Sequence, residues 1–343
     1  MNGLLAKNFS QVQELDLNAS FLFQQNVSEN VDQCIKKDID SFYCVPQAKY
    51  RELICEDINI EDKIFNFVER NIIIDRNMDK IRLAYLIIVE EDEIMFANLL
   101  RVLWKPQHIF IVHIDINMER FRVDRAKETI YLYSNVYLLK NRFDGKDNGA
   151  SLLYGQLQSV AKLLEISDDW DYLINLSEHD FPIKTNQFIE GVLLKESKNK
   201  TKNFISSSLT TESLKYFSNC DNTIGSEVIK LPEFKPNLYT SSQWFVLSKE
   251  FCYFMITNSF SRQLLSTFHF IKEPHLYFFA TLLMITKYNE TVDKRDWHYE
   301  GWGRMNKKLW EKDISSFEKM DQFFVRKIYT VEMQELIQKQ YLL

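Results

Sequence analysis

The segment Asp168–Asn186 (DDWDYLINLSEHDFPIKTN) holds the chain's densest run of side chains able to do chemistry. Asp169 and Asp171 form an Asp-x-Asp pair, and clustered carboxylates suit hard divalent cations. Both precede a strand-like stretch, Tyr172–Leu176, whereas open α/β sheets bind ligands beyond the carboxyl ends of their strands. The order therefore gives the pair a structural role. Glu178, His179 and Asp180 follow the same stretch and are placed to touch a substrate. Asp115 closes a second apolar run, His108–Asp115 (HIFIVHID), and is the expected reader of a crevice at that edge.

Residues so spaced converge only if the elements between them alternate. Leu83–Val89 is a continuous apolar run of strand length, as in a strand buried on both faces of a parallel sheet. Ile94, Phe96, Leu99, Leu100, Leu103 and Trp104 then recur at helical spacing, ended by Lys105-Pro106. His108–Asp115 reads as strand, Phe121–Ile130 as helix and Val136–Lys140 as strand. After the loop Asn141–Gly149 comes a helix through Leu152, Leu157 and Leu164, then the strand Tyr172–Leu176. This alternation predicts an α/β fold, an open and mostly parallel sheet flanked by helices. Further on, Thr185 caps a helix to about Lys195, residues 203–240 read as irregular, and Trp244–Leu247 is a strand followed by a helix capped by Ser248. Pro274 opens a long helix, His275–Lys287, and Phe323–Thr330 with a final helix completes the chain.

Composition narrows the class. With 343 residues, 45% apolar and 26% charged, the chain can bury a full core, which excludes disorder as its general state. Only 8 Gly and 6 Pro occur, which excludes collagen-like and Gly-rich linker architectures. A net charge of −6 leaves no basic footprint for nucleic acid. The run Leu83–Val89 is far short of the roughly 20 residues of a membrane span, and the N-terminal MNGLLAKNFSQVQ lacks the pattern of a signal peptide. Cys34, Cys44, Cys55, Cys220 and Cys252 fit neither a zinc site nor a Cys-x-x-Cys motif. Glycosylation acceptors at Asn8, Asn18 and Asn26 stand beside the clustered cysteines, with others at Asn199 and Asn289, and together they favour an oxidising lumen over the cytosol. The chain divides into a flexible stem (1–30), a cysteine-containing subdomain (31–80) and a main domain (81–343).

Trp170–Asn186 (WDYLINLSEHDFPIKTN) closely resembles the signature of glycosyltransferase family 14, the core-2/I-branching β-1,6-N-acetylglucosaminyltransferases and protein xylosyltransferases. Ala84–Val89 (AYLIIV), Val112–Asp115 (VHID), Gly149–Leu153 (GASLL), Gln243–Ser248 (QWFVLS) and Phe323–Lys327 (FFVRK) fall in the family's order. The resemblance implies a GT-A type domain that takes a UDP-sugar donor, modifies a glycan or glycoprotein and inverts the anomeric carbon. It further implies a Golgi-luminal or secreted protein whose type II anchor lies outside this chain, and no metal or other cofactor. Asp115 and Val89 would hold the nucleotide, Arg326 and Lys327 the diphosphate, and Gly149 and Trp244 would complete the donor side. Glu178 and Asp180 would shape the acceptor side. Fixed cations are a sensible substitute for a divalent ion, since either stabilises the charge on a departing UDP.

The departures matter as much. The family's base is a Glu in Pro-x-Glu-x-x-x-x-Thr, and Pro274–Thr281 (PHLYFFAT) places Leu276 there. An alkyl group takes no proton. Glu273 is the nearest substitute, although at a helix N-cap its carboxylate is expected to meet free backbone N–H groups. Asp147-Asn148-Gly149 stands where xylosyltransferases have Trp-Gly-Gly, and Gln243 where they have Asp. Three readings follow: transfer of N-acetylglucosamine in β-1,6 linkage, which is preferred; xylosyltransferase-like donor use; and a relative that binds without transferring.

Overall fold

Alternate side chains of β1 (Leu83–Val89) enter two separate cores, and every one of the seven is buried. Ala84, Leu86 and Ile88 face one cluster, whereas Leu83, Tyr85, Ile87 and Val89 face the other, which is the period-two consequence of a strand covered on both sides. Each large aliphatic side chain so buried contributes about 1.5–3 kcal/mol. The computed structural model describes residues 80–145, 149–196, 200–210, 217–220, 223–227, 237–268, 271–300 and 314–343. The stem, all but the last residue of the cysteine subdomain, Asp147, Asn148 and Asn199 lie outside the described residues.

From β1 the chain enters α1 (Glu93–Leu103), whose N-cap Asp92 accepts N–H bonds from Ile94 and Met95. There follow β2 (Ile109–Ile114), α2 (Arg120–Tyr131), β3 (Val136–Leu138), α3 (Ser151–Ile166) and β4 (Tyr172–Ser177). Next come β5 (Phe181–Pro182), α4 (Asn186–Glu196) and β6 (Asn203–Phe204). Residues 203–240, read from sequence as irregular, contain short strands: β7 (Ser208–Leu209) pairs with β10 (Tyr239–Thr240), and β8 (Phe217–Cys220) with β9 (Thr223–Glu227). Strands of two to five residues are too short to show a period. The remainder is β11 (Val246–Ser248), α5 (Lys249–Thr257), α6 (Ser259–Phe268), α7 (Phe278–Met284), β12 (Val292–Asp293), β13 (His298–Glu300), β14 (Phe324–Arg326) and α8 (Val331–Tyr341).

The main sheet has seven strands in the order β12-β6-β11-β4-β1-β2-β3. Among the described residues β11 alone runs antiparallel to the rest, so β1, β2, β4, β6 and β12 all end at one edge. The order reverses at β1: β2 lies on one side of it and β4 on the other, and this opens a crevice between their carboxyl ends. A three-stranded sheet, β13-β14-β5, stands beside it.

One expected element differs. The helix read from Pro274 is a single 3₁₀ turn, Pro274–Leu276, followed by the separate α7. The Leu276 carbonyl accepts N–H from Ser241 at 2.7 Å, a bond from outside the helix that competes with its ladder at that point. Asp169 pairs with Arg82, and Asp171 accepts from the Arg82 N–H and from Lys200 at 3.0 Å, at the end of β4 away from the crevice. Cys252 is a fully buried free thiol in α5, so it forms no disulfide here.

Candidate functional site

The crevice is a cleft of about 450 Å³ lined by Glu90, Glu91, Asp115, Arg122, His179 and Tyr329 among others. Each comes from a segment that leaves the sheet at the edge described above or, for Tyr329, follows β14. Asp115 is fully buried at its base. Its Oδ1 accepts from the Asn117 N–H at 2.7 Å and its Oδ2 from the Gly145 N–H at 2.5 Å. A Cβ at Gly145 would lie 3.0 Å from Asp115 Oδ2, tighter than ordinary contact, so any larger residue there would push on the carboxylate. The loop is fixed from two further directions. Arg142 donates to the carbonyls of Asp115, Ile116 and Met118, and the Phe143 N–H donates to His113 Nε2 at 2.8 Å. Burial, reinforced by the charge of Arg142, pushes the pKa of His113 down to about 4, so the imidazole is neutral and its bare Nε2 serves as an acceptor.

Glu178 does not reach the cleft. Its side chain has 0% exposure and lies beneath the Glu90–Glu91 backbone, with Oε1 accepting both N–H groups at 2.9 Å. Burial pushes its pKa up to about 7, although those N–H bonds oppose the shift. Direct contact with a substrate is thereby corrected to a positioning role, because the residue shapes the rim only through the backbone it holds. Asp180 is likewise fully buried, accepting from the Ser177 N–H at 2.6 Å and from Arg326 at 3.1 Å. His179 does line the cleft. Its Nδ1 lies 2.9 Å from the Ile328 carbonyl and so carries the proton, while burial and then the charge of Lys327 hold its pKa below the usual value.

Arg326 and Lys327 diverge. Arg326, 13% exposed, stacks over the Trp244 ring at 3.9 Å and pairs with Asp180, while the Trp244 Nε1–H donates to Glu300 at 2.8 Å. Lys327 stands near the cleft residues His179 and Tyr329, its Nζ 5.6 Å from the Tyr329 ring centroid. The structure therefore brings Asp115 to the cleft, with the buried Val89 behind it accepting the Asp115 N–H at 2.8 Å and Lys327 near the cleft residues His179 and Tyr329, and it groups Trp244 with Arg326. Gly149 is buried just before α3. Glu273 adopts a left-handed conformation (φ 50°, ψ 51°), and its carboxylate caps no helix N–H among the described residues, contrary to expectation. The 3₁₀ turn is too short to present the N-terminal N–H groups of a full α-helix.

Sequence reasoning missed Arg142, His113, Gly145 and Tyr329. Outside the cleft lining, Asp296 follows β12, the outermost strand of the main sheet, and accepts from the His298 N–H at 2.8 Å. Burial, with the like charges of Glu300 and Asp180, pushes its pKa up to about 6. Only Gly145 carried a signal, being one of few glycines and lying in a loop after a strand.

A model described as "Branch: Core-2/I-Branching enzyme" matches residues 83–328, from the first residue of β1 to just past β14. The chain belongs to the Core-2/I-branching enzyme family. Members similar to it include Xylosyltransferase oxt of Drosophila pseudoobscura pseudoobscura, 28% identical over 242 residues (66% of this chain, 27% of the relative). A probable β-1,3-galactosyl-O-glycosyl-glycoprotein β-1,6-N-acetylglucosaminyltransferase 7 of Sus scrofa is 24% identical over 209 residues (58% and 49%). Xylosyltransferase 2 of Bos taurus is 29% identical over 294 residues (75% and 33%). The match thus spans about a quarter to a half of each of these relatives. The Core-2/I-branching region contains every cleft residue named above except Tyr329. Among the described residues no helix is long and apolar enough to cross a membrane.

Proposed function

We propose that this Core-2/I-branching family member transfers a sugar from a UDP-sugar to a hydroxyl of a glycan or glycoprotein, with N-acetylglucosamine in β-1,6 linkage as the preferred product. The observation that carries the reading is the locked Asp115 at the floor of a cleft where the strand order reverses. Carboxylates there are acceptors suited to the N–H and hydroxyl donors of a nucleoside. The rim is acidic, and Arg122 is tied to Glu93 at 2.9 Å, so the diphosphate belongs at the Lys327 end. Arg326 is already paired with Asp180, which makes Lys327 the principal charge offered to phosphate. Fixed cations in this position make the reaction metal-independent. Residence in the secretory lumen accords with the exposed Asn289 of the acceptor pattern Asn289-Glu-Thr.

Titration calorimetry with UDP, UDP-N-acetylglucosamine and UDP-xylose in chelator tests the donor side. Lys327→Ala is expected to weaken UDP about 10–100-fold, the loss of one charge-assisted contact, and uridine much less. No binding of UDP, or binding that requires added Mn²⁺ or Mg²⁺, refutes the proposal. One observation favours a second reading, a protein that binds donor without transferring it: the alkyl side chain of Leu276. Tight UDP-sugar binding without product formation on any acceptor would support it.

A further inference from the structure

Arg122 is bonded across the cleft that it lines. It belongs to the first turn of α2, behind the loop that leaves β2 at Asp115, yet its guanidinium donates to the Glu91 carbonyl at 3.0 Å and to Glu93 Oε2 at 2.9 Å, both at the β1–α1 junction. A third contact, 3.4 Å to Glu119 Oε2, stays within its own wall. Glu93 is suited to hold it. Its carboxylate has 5% exposure, and Arg125 donates to its other oxygen at 3.3 Å. Burial opposes ionisation there, but its own backbone N–H and the two guanidinium groups prevail and keep its pKa below the ordinary carboxylate value. Glu91 is held from the opposite side as well, since its N–H donates to the sealed Glu178 while its carbonyl receives Arg122. Glu178 thus fixes the β1 wall and Arg142 the β2 wall, and Arg122 joins the two beyond the strand ends.

We infer that Arg122 is a positioning residue of the donor cleft: it straps the Glu90–Asp92 segment to the Asp115–Glu119 segment and so sets the width of the space in which a UDP-sugar lies. The inference rests on the proposed reading of this cleft as the donor site. Walls held at the bound spacing before a ligand arrives leave less ordering to be done on binding, and affinity gains by that amount. Direct contact with phosphate is the competing role for an arginine in such a place. Its bonds favour the strap. Glu93 and Glu119 answer the guanidinium's charge, and Glu90, Glu91 and Asp92 share the lining with it, so little net positive charge is offered to a diphosphate. The two roles differ in what they require of Glu93, which does not line the cleft. Released from Glu93, a phosphate-binding Arg122 would hold UDP more tightly, whereas a strap would slacken and hold it less.

Titration calorimetry of the full chain with UDP, alongside urea unfolding of each variant, tests the strap. Arg122→Met is expected to weaken UDP about tenfold, and Glu93→Gln, which removes the charge and keeps the shape, to weaken it in the same direction. Arg122→Lys, whose ammonium can keep one of the two partners across the cleft, should recover part of the loss. Arg125→Met separates positioning from general stability, because it also gives up Glu93 but does not line the cleft, and its UDP affinity should stay within about twofold of the wild type. UDP affinity that is unchanged in Arg122→Met, tightened by Glu93→Gln, or weakened as much by Arg125→Met as by Arg122→Met overturns the inference and leaves the donor reading in place. Wild-type protein that binds no UDP overturns the donor reading and this inference with it.

Discussion

Glu178→Gln should make the protein more stable above neutral pH and leave it unchanged in acid. The carboxyl is sealed from solvent, and its pKa stands at about 7 against an ordinary 4.5. Between those values the folded state holds a proton that the unfolded state has released. Stability from this group is therefore complete below about pH 4.5 and declines as pH rises to about 7. A shift of that size amounts to about 3 kcal/mol, at 1.36 kcal/mol per unit. Glutamine is an isostere of the protonated acid. Its Oε1 can still accept the Glu90 and Glu91 N–H groups, and its NH₂ replaces a hydroxyl at Oε2, an atom with no hydrogen-bond partner among the described residues. Urea unfolding followed by tryptophan fluorescence at pH 5 and pH 8 would show the two proteins alike in acid, with the variant ahead by about 3 kcal/mol at pH 8. Parallel pH dependences in the two proteins would refute the reasoning, because they would mean that Glu178 is solvated or ionised throughout.

Two further substitutions test the walls of the cleft. Gly145→Ala would force its Cβ to 3.0 Å from Asp115 Oδ2, and the displaced carboxylate should lower UDP affinity about tenfold in calorimetry, the equivalent of one lost hydrogen bond. Arg326→Met would strand the buried Asp180, at a cost of about 3–5 kcal/mol in chemical denaturation, and Asp180→Asn in the same chain should recover part of it.

The central strands of the main sheet were legible because they are apolar runs that no other element explains, whereas β6 and β12, two residues each, were not. β1 and β2 are buried along their whole length, and the alternation with α1, α2 and α3 left a parallel sheet as the natural arrangement. The edge at which the site lies followed from the same rule, and Asp115 stands there. What stayed hidden depends on contacts between distant residues. Glu178 looked like a substrate ligand because nothing local shows that its carboxylate meets backbone N–H groups 87 and 88 residues away. The helix at Pro274 reads as continuous until Ser241, 35 residues earlier in the chain, engages the Leu276 carbonyl.

The same geometry determines which substitutions can report on function. Asp115, Glu178, Asp180 and Arg326 are each largely removed from solvent and each holds another segment in place, so truncating any of them costs stability before it alters binding. Loss of activity in such variants would not separate a broken site from a loosened fold. Lys327 and Tyr329 are different, since each retains access to solvent. Donor affinity tested at Lys327 therefore separates a broken site from a loosened fold. If Lys327→Ala weakened UDP and left the urea midpoint unchanged, the charge that receives the leaving group would be assigned to this residue and not to Arg326, which Asp180 already holds.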